Sequence, residues 1–79
     1  MEPNYLTILD FTIGVVNIIH LTPEEVKASE GYDDFMDFLY TIEEKYGFKV
    51  SNCQWMVSED LAVYCYQDGK EVSYAELEH

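Results

Sequence analysis

Apolar residues are spaced in two different ways along this chain, and the change of spacing divides it into strand, helix and strand regions. Tyr5-Leu6-Thr7-Ile8-Leu9-Asp10-Phe11 and Val15-Val16-Asn17-Ile18-Ile19-His20-Leu21 are dense in aromatic and β-branched residues, which predicts two strands. Their short connection ends at Gly14, which supplies the positive φ of a bulged turn, so the pair reads as a β-hairpin. Thr7, Asn17 and His20 are polar interruptions of the apolar runs. Strands apolar at nearly every position predict burial on both faces or a dimer contact, rather than one wetted face.

The spacing then becomes helical. Thr22-Pro23-Glu24-Glu25 is a start signal: Thr22 can cap free amides, proline suits the first helical position, and Glu25 sits where a capping box places its acid. This first helix is expected to stop by Gly31. A second is expected from about Asp33 to Tyr46, with Phe35, Phe38, Leu39, Ile42 and Tyr46 forming one apolar stripe. Asp33, Asp34 and Asp37 crowd its first turns, where the helix dipole tolerates negative charge. Gly47 ends it as a left-handed cap.

Alternation returns in Cys53, Trp55 and Val57, and again in Leu61, Val63 and Cys65 after Ser58-Glu59-Asp60. Asp68-Gly69 signals a turn, after which Val72 to Tyr74 is expected either to return as a short last strand or to fray. The expected order is β-β-α-α-β-β. It predicts an α+β domain, an antiparallel sheet with the helices packed on one face. Residues 1–76 form this single small domain, and Leu77-Glu78-His79 reads as the start of a vector-encoded histidine tag. Without the tag the only histidine is His20.

Charge changes the picture most. The chain of 79 residues holds 16 Asp plus Glu against 4 lysines and no arginine, a formal net charge of -12. Hydrophobic residues still make up 48% of it, more than a disordered acidic tail carries. A strongly negative folded domain disfavours a nucleic-acid partner, whose affinity would come from Lys and Arg. It disfavours an anionic membrane surface for the same reason. The start Met1-Glu2-Pro3-Asn4 lacks the basic and apolar run of a signal peptide, and a cytoplasmic location is the expectation.

Motifs for chemistry are sparse. Asp33-Asp34-Phe35-Met36-Asp37 matches the spelling of a magnesium-diphosphate motif, but the chain has no arginine for a diphosphate and reads there as a solvated acidic helix start. Cys53 and Cys65, with one native histidine, cannot supply the four ligands of structural zinc and are expected as buried free thiols. His20 stands alone without a neighbouring nucleophile. Ser58-Glu59-Asp60 reads as a capped turn rather than an acid pair. Trp55 is expected in the core, and Tyr64, Tyr66 and Tyr74 are expected to contribute an exposed aromatic patch. No catalytic residue, cofactor or metal is expected.

The segments Tyr5-Leu6-Thr7-Ile8-Leu9-Asp10, Glu43-Glu44-Lys45-Tyr46-Gly47-Phe48 and Cys53-Gln54-Trp55-Met56 resemble those of small acidic uncharacterised proteins from gut Bacteroidetes. The resemblance spans most of the chain and implies no activity.

The expectation is therefore a non-enzymatic acidic protein-interaction module. It would bind a basic protein through Glu24, Glu25, Glu30, Asp33, Asp34, Asp37, Glu43 and Glu44, which are half of all the acids. Its sharper form is a DNA mimic, and a homodimer is a further expectation. The alternative is a small enzyme or ligand-binding domain with a pocket near His20. A deep cleft at His20 favours the enzyme, and a flat acidic face favours the module.

Overall fold

The first strand made is the middle of the sheet. A computed structural model describes residues 2–77. In order these form β1 (Tyr5–Asp10), β2 (Val15–His20), α1 (Pro23–Ser29), α2 (Phe35–Tyr46), a 3-10 turn at Val50–Asn52, β3 (Cys53–Ser58), β4 (Cys65–Gln67), β5 (Lys70–Val72) and a last 3-10 turn at Tyr74–Glu76. β1 lies between β2 and β3 and is antiparallel to both. β4 and β5 form a separate two-stranded hairpin. The class is α+β.

Register decides which face each side chain takes. Leu6 lies opposite Ile19 on one side and Val57 on the other, and Ile8 lies opposite Asn17 and Trp55. Side chains alternate across a strand, so these residues share one face. Leu6, Ile8 and Ile19 join Leu21, Val26, Phe38, Leu39, Ile42, Phe48 and Val50 in one buried core, with Phe35, Tyr46, Cys53, Trp55 and Val57 packed against it. Each fully buried Leu, Ile or Phe contributes about 1.5–3 kcal/mol of transfer free energy. Phe35 stands edge-on to Phe38 at 5.4 Å and meets Trp55 at 5.5 Å, which ties α2 to β3.

Local signals fix the helices. Thr22 accepts from the Glu25 amide and Glu25 accepts from the Thr22 amide, so the capping box is complete. Gly47 adopts φ 78° and its amide reaches the Glu43 carbonyl, the left-handed end expected of a glycine there. Phe38, Leu39 and Ile42 are buried along the anticipated stripe.

Three expectations are corrected. The second helix starts at Phe35 rather than about Asp33, because the Asp34 carboxylate accepts from the Met36 amide and caps it. Asp33 and Asp34 thus precede the helix, and Asp37 alone lies in its first turn. Leu61-Val63-Cys65 is not one strand. Residues 59–64 are irregular, and only Cys65–Gln67 pairs, with Lys70–Val72 rather than with β3. The Asn4 side chain donates to the Glu59 carbonyl at 3.2 Å, which holds the chain where it leaves β3. Val63 and Tyr64 find no apolar layer and stay exposed. Ser58 caps no turn: it ends β3, with its hydroxyl enclosed and unpaired among the described residues.

The tag assigned to residues 77–79 falls, for Glu78 and His79, outside the described residues. Among the described residues no helix is long and apolar enough to cross a membrane.

Candidate functional site

The two broad sides of the molecule differ in chemistry. On the helix side, Glu24, Glu30, Asp33, Asp34, Asp37 and Glu44 are exposed. Glu24 sits in the first turn of α1, Glu30 caps its C-terminal end, and Asp33 and Asp34 lie in the link to α2. Glu24 meets the positive end of the α1 dipole, whereas Glu30 stands at its negative end, where a carboxylate gains nothing from the helix.

The other two candidate acids face inward. Glu25 is 8% exposed. Its Oε1 accepts from the Thr22 amide at 2.9 Å, and its Oε2 accepts from the Lys45 ammonium at 3.0 Å and the Tyr46 hydroxyl at 2.8 Å. Burial alone raises a carboxyl pKa, but the Thr22 amide, the Tyr46 hydroxyl and Lys45 together outweigh it and hold Glu25 below its ordinary value. The same contacts act on the donors. The hydrogen bond to Glu25 raises Lys45, and burial with the neighbouring carboxylate raises Tyr46. Glu43 is half-buried, with Oε2 accepting from the Val50 amide at 3.0 Å. Glu25 and Glu43 therefore hold the fold's own seams, and six of the eight candidates remain as an open acidic surface. Among the described residues the ion pair is Lys45–Glu25, so the only lysine engaged in one is spent internally.

On the sheet side, the second face of the three strands carries Tyr5, Thr7, Leu9, Val16, Ile18, His20, Gln54, Met56 and Ser58. It holds no charged residue. Leu9, Val16, Ile18 and Met56 are exposed there. The helices thus bury one sheet face, and the burial on both faces expected of β1 and β2 is not met within one chain. Beside β2 an open groove of about 740 Å³ runs between Val16 and Ile18 and the residues Val63, Cys65, Tyr74 and Leu77 of the C-terminal arm. Tyr64, Tyr66 and Tyr74 are all exposed on that arm, although only Tyr66 lies in a strand.

His20 is exposed, with its ring stacked on Tyr5 at 4.6 Å. The concavity near it, about 390 Å³, is open and lined by Glu2, Asn4, His20, Leu21, Thr22, Pro23 and Val26. No Cys or Ser is in that lining, and the Thr22 hydroxyl is committed to the Glu25 amide. Cys53 and Cys65 are free thiols, each half-buried rather than buried. Burial, and then the charge of Asp10, push the Cys53 thiol above its ordinary pKa, the reverse of what a nucleophile needs. Among the described residues no three His, Cys, Asp or Glu side chains converge as a metal-holding group.

Sequence reasoning missed the inward turn of Glu25 and Glu43. The capping box revealed one of Glu25's contacts, but Lys45 and Tyr46 meet it only through helix packing. The charge-free sheet face did have a signal, in strands apolar at nearly every position. Compared with protein-family models, with curated proteins and with solved structures, the chain matches none.

Proposed function

We propose that this chain is a non-enzymatic protein-interaction module whose acidic helix side takes a basic protein partner. The observation that carries the reading is the set of exposed carboxylates of Glu24, Glu30, Asp33, Asp34, Asp37 and Glu44, none in an ion pair among the described residues. Carboxylates outside any ion pair, on helices and a link pre-positioned by a core, cost little to dock and steer a cationic surface from a distance. In its sharper form the partner is a nucleic-acid-binding protein, and the carboxylates take the place of backbone phosphates. The exposed, stacked His20 and its shallow surroundings favour this reading over an enzyme at that position.

The test is titration of the chain with an oligolysine peptide, followed by fluorescence of Trp55. Binding should weaken steeply with added salt. The double variant Asp33→Lys, Asp37→Lys should weaken it about tenfold or more, while Glu71→Lys, exposed on the separate β4–β5 hairpin, should matter much less. Equal loss from both variants would reduce the acidic side to a general field that serves solubility.

A further inference from the structure

Leu21 donates its amide to the Asn4 carbonyl at 2.9 Å. An antiparallel ladder alternates bonded and non-bonded pairs. With Asn4–Leu21 bonded, the bonded pairs continue through Leu6–Ile19, Ile8–Asn17 and Asp10–Val15. The intervening residues of β2, Val16, Ile18 and His20, therefore turn their N–H and C=O groups away from β1, toward a sheet edge with no strand beside it among the described residues. This edge is six residues long and contains neither lysine nor proline, the usual devices that blunt an edge. Its outward side chains Val16 and Ile18 are 59% and 47% exposed.

The chain also exposes too much surface for its mass. A compact monomer of 9.2 kDa exposes about 4,900 Å². This chain exposes 5868 Å², an excess of roughly 900 Å² over that expectation. One side of a standard protein–protein interface covers about 800 Å². The radius of gyration agrees, at 14.3 Å against about 11.6 Å for a compact chain of this length.

Charge selects the occupant. Residues 11–23 contain no Asp, Glu or Lys, and neither does the open sheet face that includes Val16 and Ile18. A basic partner is drawn to the carboxylates on the helix side and gains nothing from β2. Two copies of a chain at -12 repel everywhere except where neither presents an acid. We infer that the chain forms a homodimer by antiparallel pairing of β2 with β2 of a second copy, giving one six-stranded sheet in the order β3-β1-β2-β2-β1-β3. The groove between β2 and the C-terminal arm is the space the second strand enters, and Val63 and Tyr74 then close over it. The contact is isologous, as a two-fold dimer requires.

Two measurements on the full chain test this. Sedimentation equilibrium should return twice the chain mass, and a monomer at every soluble concentration would overturn the inference. Val16→Glu places like charges across the two-fold axis and should weaken the dimer about tenfold or more, with circular dichroism unchanged. Tyr40→Glu, on the exposed face of α2, should leave the dimer intact. An undiminished dimer in Val16→Glu would remove β2 from the interface. Amide hydrogen exchange needs no variant. The amides of Val16, Ile18 and His20 should gain protection as concentration rises, and fast exchange at all concentrations would sink the pairing. Binding of oligolysine should be unaltered in Val16→Glu, which separates this inference from the basic-partner reading.

Discussion

Tyr46 on α2 donates its hydroxyl to the Glu25 carboxylate on α1 at 2.8 Å, and so joins the two helices through a polar contact beside an apolar core. Lys45 reaches the same oxygen at 3.0 Å from a more exposed position. A hydrogen bond to a charged group contributes about 1.5–3 kcal/mol. Tyr46→Phe should lower the stability read from urea denaturation by about that amount. Lys45→Met should cost less, because solvent already screens the exposed ammonium. Equal costs would mean that the ion pair holds the seam as strongly as the hydroxyl does, despite its exposure.

The same carboxylate fixes a pH dependence. Glu25 is held below its ordinary pKa in the folded chain, so the folded state binds its proton less readily than the unfolded state does. Its stabilisation is fully present above the ordinary value near 4.5 and is lost as pH falls through the depressed folded value. Glu76, lowered by the Ser73 amide, acts in the same direction from an exposed site. Stability should therefore drop below about pH 4.5, and Glu25→Gln should be less stable at neutral pH but flatter with acid. Melting curves from pH 7 to pH 3 for both proteins would show whether the slopes differ.

Phe38 is 2% exposed and lies where α2 meets the sheet. Phe38→Ala should cost about 3–5 kcal/mol. A total of about 5 kcal/mol is the low end for small domains, so the variant should keep at most about 2 kcal/mol of it and melt far below the parent chain. An unchanged thermal melt would show that α2 does not depend on this face.

Thiol chemistry should separate the folded from the unfolded chain. Under denaturing, non-reducing conditions two thiols per chain should react, since both cysteines are free. In the folded Cys65→Ser variant, the remaining Cys53 should react with a disulfide reagent at neutral pH more slowly than in urea. Its pKa is raised by burial and by Asp10, which reduces the thiolate that attacks. A folded-state rate equal to the rate in urea would mean that Cys53 is neither buried nor electrostatically disfavoured.

Salt should stabilise this protein. The acids outnumber the lysines four to one, and one of the lysines is tied to Glu25. Screening weakens repulsion among exposed carboxylates, with a Debye length of about 8 Å at physiological strength. The melting temperature should rise from very low to physiological sodium chloride. A falling curve would mean that attractive pairs dominate the surface.

The parts of this fold legible in the sequence are those set by neighbours along the chain. The Thr22–Glu25 capping box, the glycine end at Gly47, the tight turn at Asp68-Gly69 with φ of 55° and 77°, and the stripe from Phe35 to Tyr46 all follow from spacing and conformational preference. What spacing does not show is which strand lies beside which. Leu61, Val63 and Cys65 alternate as well as Cys53, Trp55 and Val57 do, yet only the second set joins the three-stranded sheet, because β1 has one free side left and β3 takes it, while Cys65 alone of the first set pairs, with β5. The acidic surface was legible in composition but not in detail. Glu24 and Glu25 are adjacent and chemically alike, and only the position of Tyr46 and Lys45 twenty residues on decides that one binds inward and the other meets solvent.

The central place of β1 also orders the events of folding. Its pairing with β2 spans a four-residue turn and closes early, as a local contact. Its pairing with β3 must wait until both helices and the Val50–Asn52 turn have been traversed, and that long loop costs more entropy to close. The docking of β3 is then the slow step that contact order predicts for such a topology. Until it docks, both edges of the β1–β2 hairpin are bare, and a newly made chain is most open to mispairing in that interval.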